Sequence, residues 1–225
     1  MEHFNQLTMD KQELLKKYLN LLIQTNEKIN LTSIEDESSG LVLHIEDSLT
    51  ALPYFIQAPD GLYMDMGSGG GVPGIPLAIA SGRKTILVDS SKKKMNVVQD
   101  IVCELGLDDQ ITTCSERMED LAKRKPRSAA IITARAVSKL SAILELASPL
   151  IIDNGIFIAM KSKPDSAEMD AASKVAEIVG FTCMYDQAFV LEEQFTRRIL
   201  VYRKVRPSKV KLPRRNGLAQ HTPLA

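Results

Sequence analysis

Residues 64–74 read Met-Asp-Met-Gly-Ser-Gly-Gly-Gly-Val-Pro-Gly. An acidic residue and an apolar stretch run directly into five glycines, and Asp65, Gly67, Gly69 and Gly71 stand at strict two-residue spacing. Glycine has no Cβ and accepts positive φ, so such a run lets the backbone turn sharply and lie close to a ligand. A turn of this kind at the end of a strand restricts the chain to folds that use a strand-to-helix turn as a binding edge.

The rest of the sequence supplies those strands and helices. Leu14, Leu15, Tyr18, Leu19, Leu21, Leu22 and Ile23 form a wide apolar stripe that predicts a helix over residues 10–24. Asn30-Leu-Thr-Ser33 breaks the pattern. A second helical stretch is expected from Ser38 to Leu52, ending before Pro53. From Gly61 the rhythm changes. Strands are predicted at 62–66, 85–88, 111–114, 129–133 and 156–160, the last entered through a turn at Asn154-Gly155. Helices are predicted at 75–80, 91–105, 140–146 and 165–179, with Gly106 and Gly180 as terminators. Residues 183–191 and 199–203 have the alternation of a terminal antiparallel pair. Alternating elements with short connections point to an open α/β sheet with helices on both faces. The expected organisation is an N-terminal helical extension (1–58), the α/β core (59–205) and a basic C-terminal tail (206–225), all in one domain unit.

Composition narrows the setting. Of 225 residues, 44% are hydrophobic and 25% charged, an ordinary globular mixture. No apolar run approaches the roughly 20 residues that span a bilayer, and the N-terminus lacks the pattern of a secretory signal. Three cysteines, Cys103, Cys114 and Cys183, are odd in number and far apart, and read as reduced, mostly buried thiols of a cytoplasmic protein. The net charge of zero hides an asymmetry. Residues 203–225 carry seven basic side chains and no acidic one, leaving minus seven on the remainder. A basic tail on an acidic body points to a polyanionic partner, or else to a solvated, partly disordered tail.

Two ligands compete for the glycine turn. Gly69 to Gly74 matches G-x-G-x-x-G literally, with Asp89 about 20 residues on, so a dinucleotide is one reading. No Gly-Lys-Ser/Thr follows, which excludes a P-loop. Asp65 at the first strand's end would repel a pyrophosphate but can hold an ammonium group. Pro73 removes an N–H where a pyrophosphate needs donors. S-adenosylmethionine, with its ammonium, sulfonium and ribose diol, fits these features better. Asp89 can accept from the ribose hydroxyls of either ligand.

Several strings together resemble the glucose-inhibited division protein B family, the bacterial small-subunit ribosomal RNA guanine-N7 methyltransferases. They are Asn30-Leu-Thr-Ser33, His44-Ile-Glu-Asp47-Ser-Leu49, the glycine run continued to Gly74-Ile-Pro76, Val88-Asp-Ser90, Arg117-Met-Glu119, Ala134-Arg-Ala136, Met160-Lys161 and Pro213-Arg-Arg-Asn-Gly217. The similarity covers nearly the whole chain. It implies a Rossmann-like class I S-adenosylmethionine methyltransferase sheet, mostly parallel with an antiparallel C-terminal strand, and action on 16S ribosomal RNA or the small subunit. Nothing in the residues suggests an obligate dimer or a metal site, so a monomer without a metal is expected. The resemblance implies that Gly67 and Val72, within the turn that also holds Gly69 and Gly71, line the methionine and sulfonium side of the cofactor. Asp89 and Ser90 then sit at the ribose, and Met118 and Glu119 flank the adenine. It also places Arg135 near both cofactor and target.

The residues themselves agree with these roles. Met118 offers a polarizable apolar surface to a purine. Arg135 and Lys161 should emerge at the carboxyl edge of the sheet, where they can meet a phosphate or guanine O6. Guanine N7 carries a free lone pair at neutral pH, so alignment and water exclusion suffice and no general base is needed. His44 and His221 receive neither a base nor a metal role. Lys92, Lys93, Lys94, Arg117, Arg214 and Arg215 are candidate RNA contacts. The sequence departs from the family's usual pattern at Gly70, at Ser162, and after Gly217, where Ala219 and His221 stand. A dinucleotide-dependent oxidoreductase and a non-enzymatic RNA-binding protein are the alternatives.

Overall fold

The computed structural model describes residues 1–26, 29, 31, 32, 34 and 36–225. Asn30 and Ser33, the ends of the expected break after the first long helix, lie outside the described residues. The chain begins with α1 (Glu2–Asn5) and α2 (Met9–Asn26), whose stripe buries Leu15, Tyr18, Leu19 and Leu22 completely. Asp36 caps α3 (Glu37–Gly40) by accepting from Ser39 N at 2.9 Å. A π-helix (Leu41–Glu46) and α4 (Asp47–Leu49) continue the same run, and a 3-10 helix (Leu52–Gln57) follows. The helical run thus stops three residues short of the expected Leu52. Pro53 falls in the first turn of the 3-10 helix, where its missing N–H leaves no bond unmade.

The alternating part is β1 (Leu62–Met66), α5 (Gly74–Ser81), β2 (Thr85–Val88), α6 (Lys92–Glu104), β3 (Ile111–Cys114), α7 (Met118–Arg124), β4 (Ala129–Arg135), α8 (Leu140–Ala147), β5 (Ile151–Lys161), α9 (Ser166–Val179), β6 (Phe181–Leu191) and β7 (Phe195–Lys204), with α10 (Leu218–His221) near the end. The seven strands lie in the order β3-β2-β1-β4-β5-β7-β6. All pairs are parallel except β5 with β7 and β7 with β6. The chain winds outward from β1 to β3, then returns to β4 on the other side, so the topological switch point lies between β1 and β4.

Side-chain alternation explains why both faces are covered. Along β2, Leu87 joins a cluster with α2, α5 and α6, whereas Ile86 and Val88 join a second cluster with α7, α8 and α9. Three features differ from the sequence reading. The helix α7 was not expected. Asn154, at φ 62, bulges within β5 instead of starting it, and the register against β4 jumps from Ala129↔Ile151 to Ile131↔Ile156. The cysteines are not mostly buried: Cys103 and Cys183 are exposed and Cys114 is partly covered.

The basic run at the end of the chain is partly internal. Lys204 is buried and donates to Ser148 Oγ at 2.7 Å and to Val179 O at 2.6 Å, the last carbonyl of α9, to which Ser148 Oγ also donates. Burial pulls its ammonium down to about 8. Beyond it, Lys209 N donates to Ile178 O and the Lys209 side chain pairs with Glu177. No helix among the described residues is long and apolar enough to cross a membrane.

Gly74 shows how tightly α5 meets the sheet. A Cβ there would lie 2.3 Å from Leu87 Cδ2 and 2.7 Å from Asp65 Oδ2. Gly74→Ala is therefore expected to destabilise the fold by about 1–3 kcal/mol, read as a lower urea midpoint with an unchanged m-value.

Candidate active site

The glycine turn leaves β1 at the switch point and is pinned from three sides. Gly67 N and Ser68 N both donate to Val88 O, at 2.8 and 3.0 Å. Tyr18, fully buried in α2, donates its hydroxyl to Gly70 O at 2.9 Å. Asp89 Oδ2 accepts from Gly69 N at 3.1 Å, and Asp89 Oδ1 from Ser91 N at 2.8 Å. Gly67, Gly69 and Gly71 take φ of 73°, 56° and 94°. Alternate glycines therefore hold the left-handed conformations that shape this turn. At Gly69 nothing lies within 4 Å of an added Cβ, so the backbone there faces open space.

That space is a cleft of about 860 Å³ along the carboxyl ends of β1, β2, β4 and β5. Gly67, Gly69, Val72, Asp89, Ser90, Met118, Glu119, Arg135 and Lys161 all line it, as do Lys94 and Arg117 among the basic residues. Asp65 does not. Its carboxylate is fully buried behind the turn, where Oδ2 accepts from Gly74 N at 3.0 Å and Oδ1 from Thr133 Oγ1 at 2.7 Å. Tyr63 donates in turn to Thr133 Oγ1 at 2.7 Å. Burial pushes the Asp65 carboxyl above its ordinary range and these donors pull it back. The Ser68 hydroxyl, buried with no hydrogen bond of good geometry, lies close enough to assist them. The expected ammonium contact at Asp65 is thus replaced by a role in holding the turn. Gly71 likewise packs against Ile75 and Tyr18 and is not part of the cleft wall.

A group of charges forms the opposite wall. Arg135 Nη1 donates to Leu43 O at 2.8 Å and Asp47 Oδ2 at 3.1 Å, and Arg135 Nη2 donates to His44 Nδ1 at 3.3 Å. Arg197 Nε donates to the other oxygen of Asp47 at 3.0 Å. One buried carboxylate therefore joins arginines from β4 and β7. His44 and Asp47 reach them from the π-helix and its continuation in α4, a local irregularity frequent at functional sites. Lys161 Nζ pairs with Glu168 at 2.8 Å and donates to Ser138 O at 3.0 Å.

The remaining basic residues separate into two groups. Lys92, Lys93 and Arg215 are exposed, with Lys92 and Lys93 opening α6. Arg214 is not a free RNA contact as expected from the sequence. Its guanidinium forms a paired bridge with buried Glu145, at 2.7 Å to each oxygen, and also donates to Thr222 O at 2.8 Å. Sequence reasoning assigned no role to Asp47, Arg197 or Gln220, all of which line the cleft. For Arg197 the signal was the period of two: in Arg197-Arg198, one side chain points to the cleft and the other pairs with Asp186.

Similar solved structures share this fold. An O-methyltransferase from Bacillus cereus in complex with S-adenosylhomocysteine has a TM-score of 0.59 at 16% identity, over 83% of this chain and 90% of that one. Geranyl diphosphate C-methyltransferase from Streptomyces coelicolor, also in complex with S-adenosylhomocysteine, has a TM-score of 0.58 at 11% identity, over 71% and 79%. The architecture is that of the S-adenosylmethionine-dependent methyltransferases. Within it, residues 11–194 match the GidB family, rRNA small subunit methyltransferase G, and the chain belongs to that family. Relatives named ribosomal RNA small subunit methyltransferase G include one from Geobacillus sp., 35% identical over 93% of this chain and 89% of its own length. Another, from Staphylococcus aureus, is 34% identical over 99% and 94%.

Burial, with Arg135 adding to it, pulls the His44 imidazole down to about 4. The unfolded side chain titrates at about 6.5, so the unfolded protein takes up this proton first. The stability contributed by a neutral His44 is complete above that pH and is lost as pH falls toward about 4. His44→Gln is expected to flatten this acid limb by up to about 3 kcal/mol, measured by urea unfolding across the interval.

Proposed function

We propose that this protein uses S-adenosylmethionine to methylate N7 of a specific guanosine in 16S ribosomal RNA, acting as a monomer in the cytoplasm on the RNA or the small subunit. Membership of the family and relatives named ribosomal RNA small subunit methyltransferase G support the RNA acceptor. The cofactor reading rests on one observation above all: bare backbone at Gly69 opens onto the cleft beside Asp89.

The residues present fit S-adenosylmethionine. Asp89 and Ser90 stand where a ribose diol can donate to a carboxylate, and Asp89 is held in place by two backbone N–H groups. Gly67, Gly69 and Val72 supply a small-surfaced wall for the methionine portion, and Met118 and Glu119 receive the adenine. A dinucleotide fits less well. The N–H of Gly74, at the start of α5, is already taken by the buried Asp65 carboxylate, so a pyrophosphate would meet negative charge there. When bound, S-adenosylmethionine supplies an electrophilic methyl group on a sulfonium.

The protein's part is alignment and exclusion of water. Guanine N7 needs no base, and His44 is unsuited to act as one. Its Nδ1 accepts from Arg135, which leaves the proton on Nε2 to be donated to Thr32 Oγ1 at 2.8 Å. Arg135 and Lys161 form the acceptor end, where charged donors can meet a phosphate or the guanine O6. The fixed geometry of Arg135 follows from its three partners on Leu43, His44 and Asp47. Lys92, Lys93, Lys94, Arg117 and Arg215 provide a positive surface for the RNA backbone, while the target base leaves its stack to enter the cleft.

The test is transfer of a labelled methyl group to small subunits from a strain lacking the protein, with the labelled base mapped by strand scission at N7-methylguanosine. One labelled guanosine is expected. Asp89→Ala is expected to lower kcat/KM at least about tenfold, mainly through KM for the cofactor, as a charge-assisted hydrogen bond is lost. Absence of transfer, together with calorimetric binding of NAD(H) in place of S-adenosylmethionine, would overturn the reading.

A further inference from the structure

The sequence left the basic C-terminal tail either to a polyanion such as RNA or to solvent, yet the tail turns back onto the cofactor cleft. Three clasps hold it there. Arg214 bridges to Glu145 of α8 through both carboxylate oxygens. Asn216 Nδ2 donates to Asp120 Oδ2 of α7 at 2.7 Å. Gly217 N donates to Glu119 Oε1 at 2.8 Å, and Glu119 is itself a buried residue of the cleft wall. On either side of the clasps, Leu212, Ala219 and Leu224 pack on the cluster that contains Met118 and Leu146. Anchoring by paired charges and apolar contacts fixes α10, and α10 carries Gln220 into the wall of the cleft that Met118 and Glu119 also line, three residues beyond the Gly217 N–H that Glu119 accepts.

We propose that Gln220 is a cofactor-binding residue at the purine end of the cleft, held there by the Glu119–Gly217 hydrogen bond. This inference rests on the S-adenosylmethionine reading above. The Gln220 side chain is exposed, and its amide has no hydrogen-bond partner among the described residues, although the neighbouring Ala219 is buried. A primary amide both donates and accepts, which matches a ring nitrogen and the exocyclic amino group of adenine. Glu119 cannot serve both groups, since a carboxylate only accepts and one of its oxygens already holds Gly217. The tail thereby contributes to cofactor affinity through the same contacts that order it, and its basic residues are partly used as anchors.

The experiment is calorimetric titration of S-adenosylhomocysteine into the full-length protein and its Gln220→Ala and Gln220→Glu variants, with filter binding of small-subunit RNA in parallel. Gln220→Ala is expected to raise Kd for S-adenosylhomocysteine about fivefold, the size of one neutral hydrogen bond. Gln220→Glu, which replaces the donor with a second carboxylate near Glu119, is expected to weaken binding at least as much. RNA affinity and the unliganded melting midpoint should not move. Wild-type Kd in either variant, or a loss confined to RNA binding, overturns the proposal. If the unaltered protein does not bind S-adenosylhomocysteine, the cofactor reading itself falls and takes this inference with it.

Discussion

A single carboxylate behind the glycine turn holds the centre of the molecule together. Asp65 ends the middle strand of the parallel region, fully buried, and its two oxygens reach in different directions. One takes the N–H of Gly74 and so fixes where α5 begins. The other takes the hydroxyl of Thr133 and so ties β1 to β4 across the switch point. Removing a buried charged acceptor would leave two donors unpaired. The absence of a Cβ at Gly74 is what lets helix and carboxylate approach this closely. The turn between them is therefore rigid without depending on a ligand, and its open face at Gly69 is presented to the cleft in advance.

The far side of the cleft is organised by a second carboxylate. Asp47 accepts from Arg135 and Arg197, and His44 remains neutral beside them because burial and the nearby guanidinium both disfavour its charged form. Two arginines on one anion leave net positive charge facing the cleft, which suits a phosphate-bearing acceptor. The N-terminal helices thus do more than cover the sheet: they supply the groups that orient charges on β4 and β7. The C-terminal segment closes the third side through Glu119 and Glu145. Binding groups on the sheet edge are positioned by segments that come from both ends of the chain.

Much of this could be seen in the sequence. The buried strand β2 carries a near-continuous apolar run, and β1, β2 and β3 fall at the positions the sequence predicts. The glycine spacing located the ligand edge, because Gly67, Gly69 and Gly71 each take the positive φ that the turn requires. What escaped had no local pattern. The helix α7 is short and charged, with too few turns to show periodicity. The bulge at Asn154 resembles a turn because Asn-Gly favours the same positive φ in either setting. The exposure of Cys103 and Cys183 depends on which face of α6 and of the edge strand β6 meets solvent.

The sequence by itself determined the fold class, the place of the ligand edge, and Asp89, Arg135 and Lys161 on it. These follow from periodicity and from where strands end, whereas Ser90, Met118 and Glu119 came from the family resemblance. Only the tertiary structure decided which carboxylates face the cleft and which are internal. Asp65 and Asp89 both end strands in the sequence, but one lies beneath the turn and the other beside it. Only the fold brings Asp47, Arg135 and Arg197 together, across separations of 88 and 150 residues. Only the fold converts Arg214 from a free basic residue into the partner of Glu145. In each case the reason is the same. A charged side chain is assigned by the partner that shares its burial, and that partner is distant along the chain.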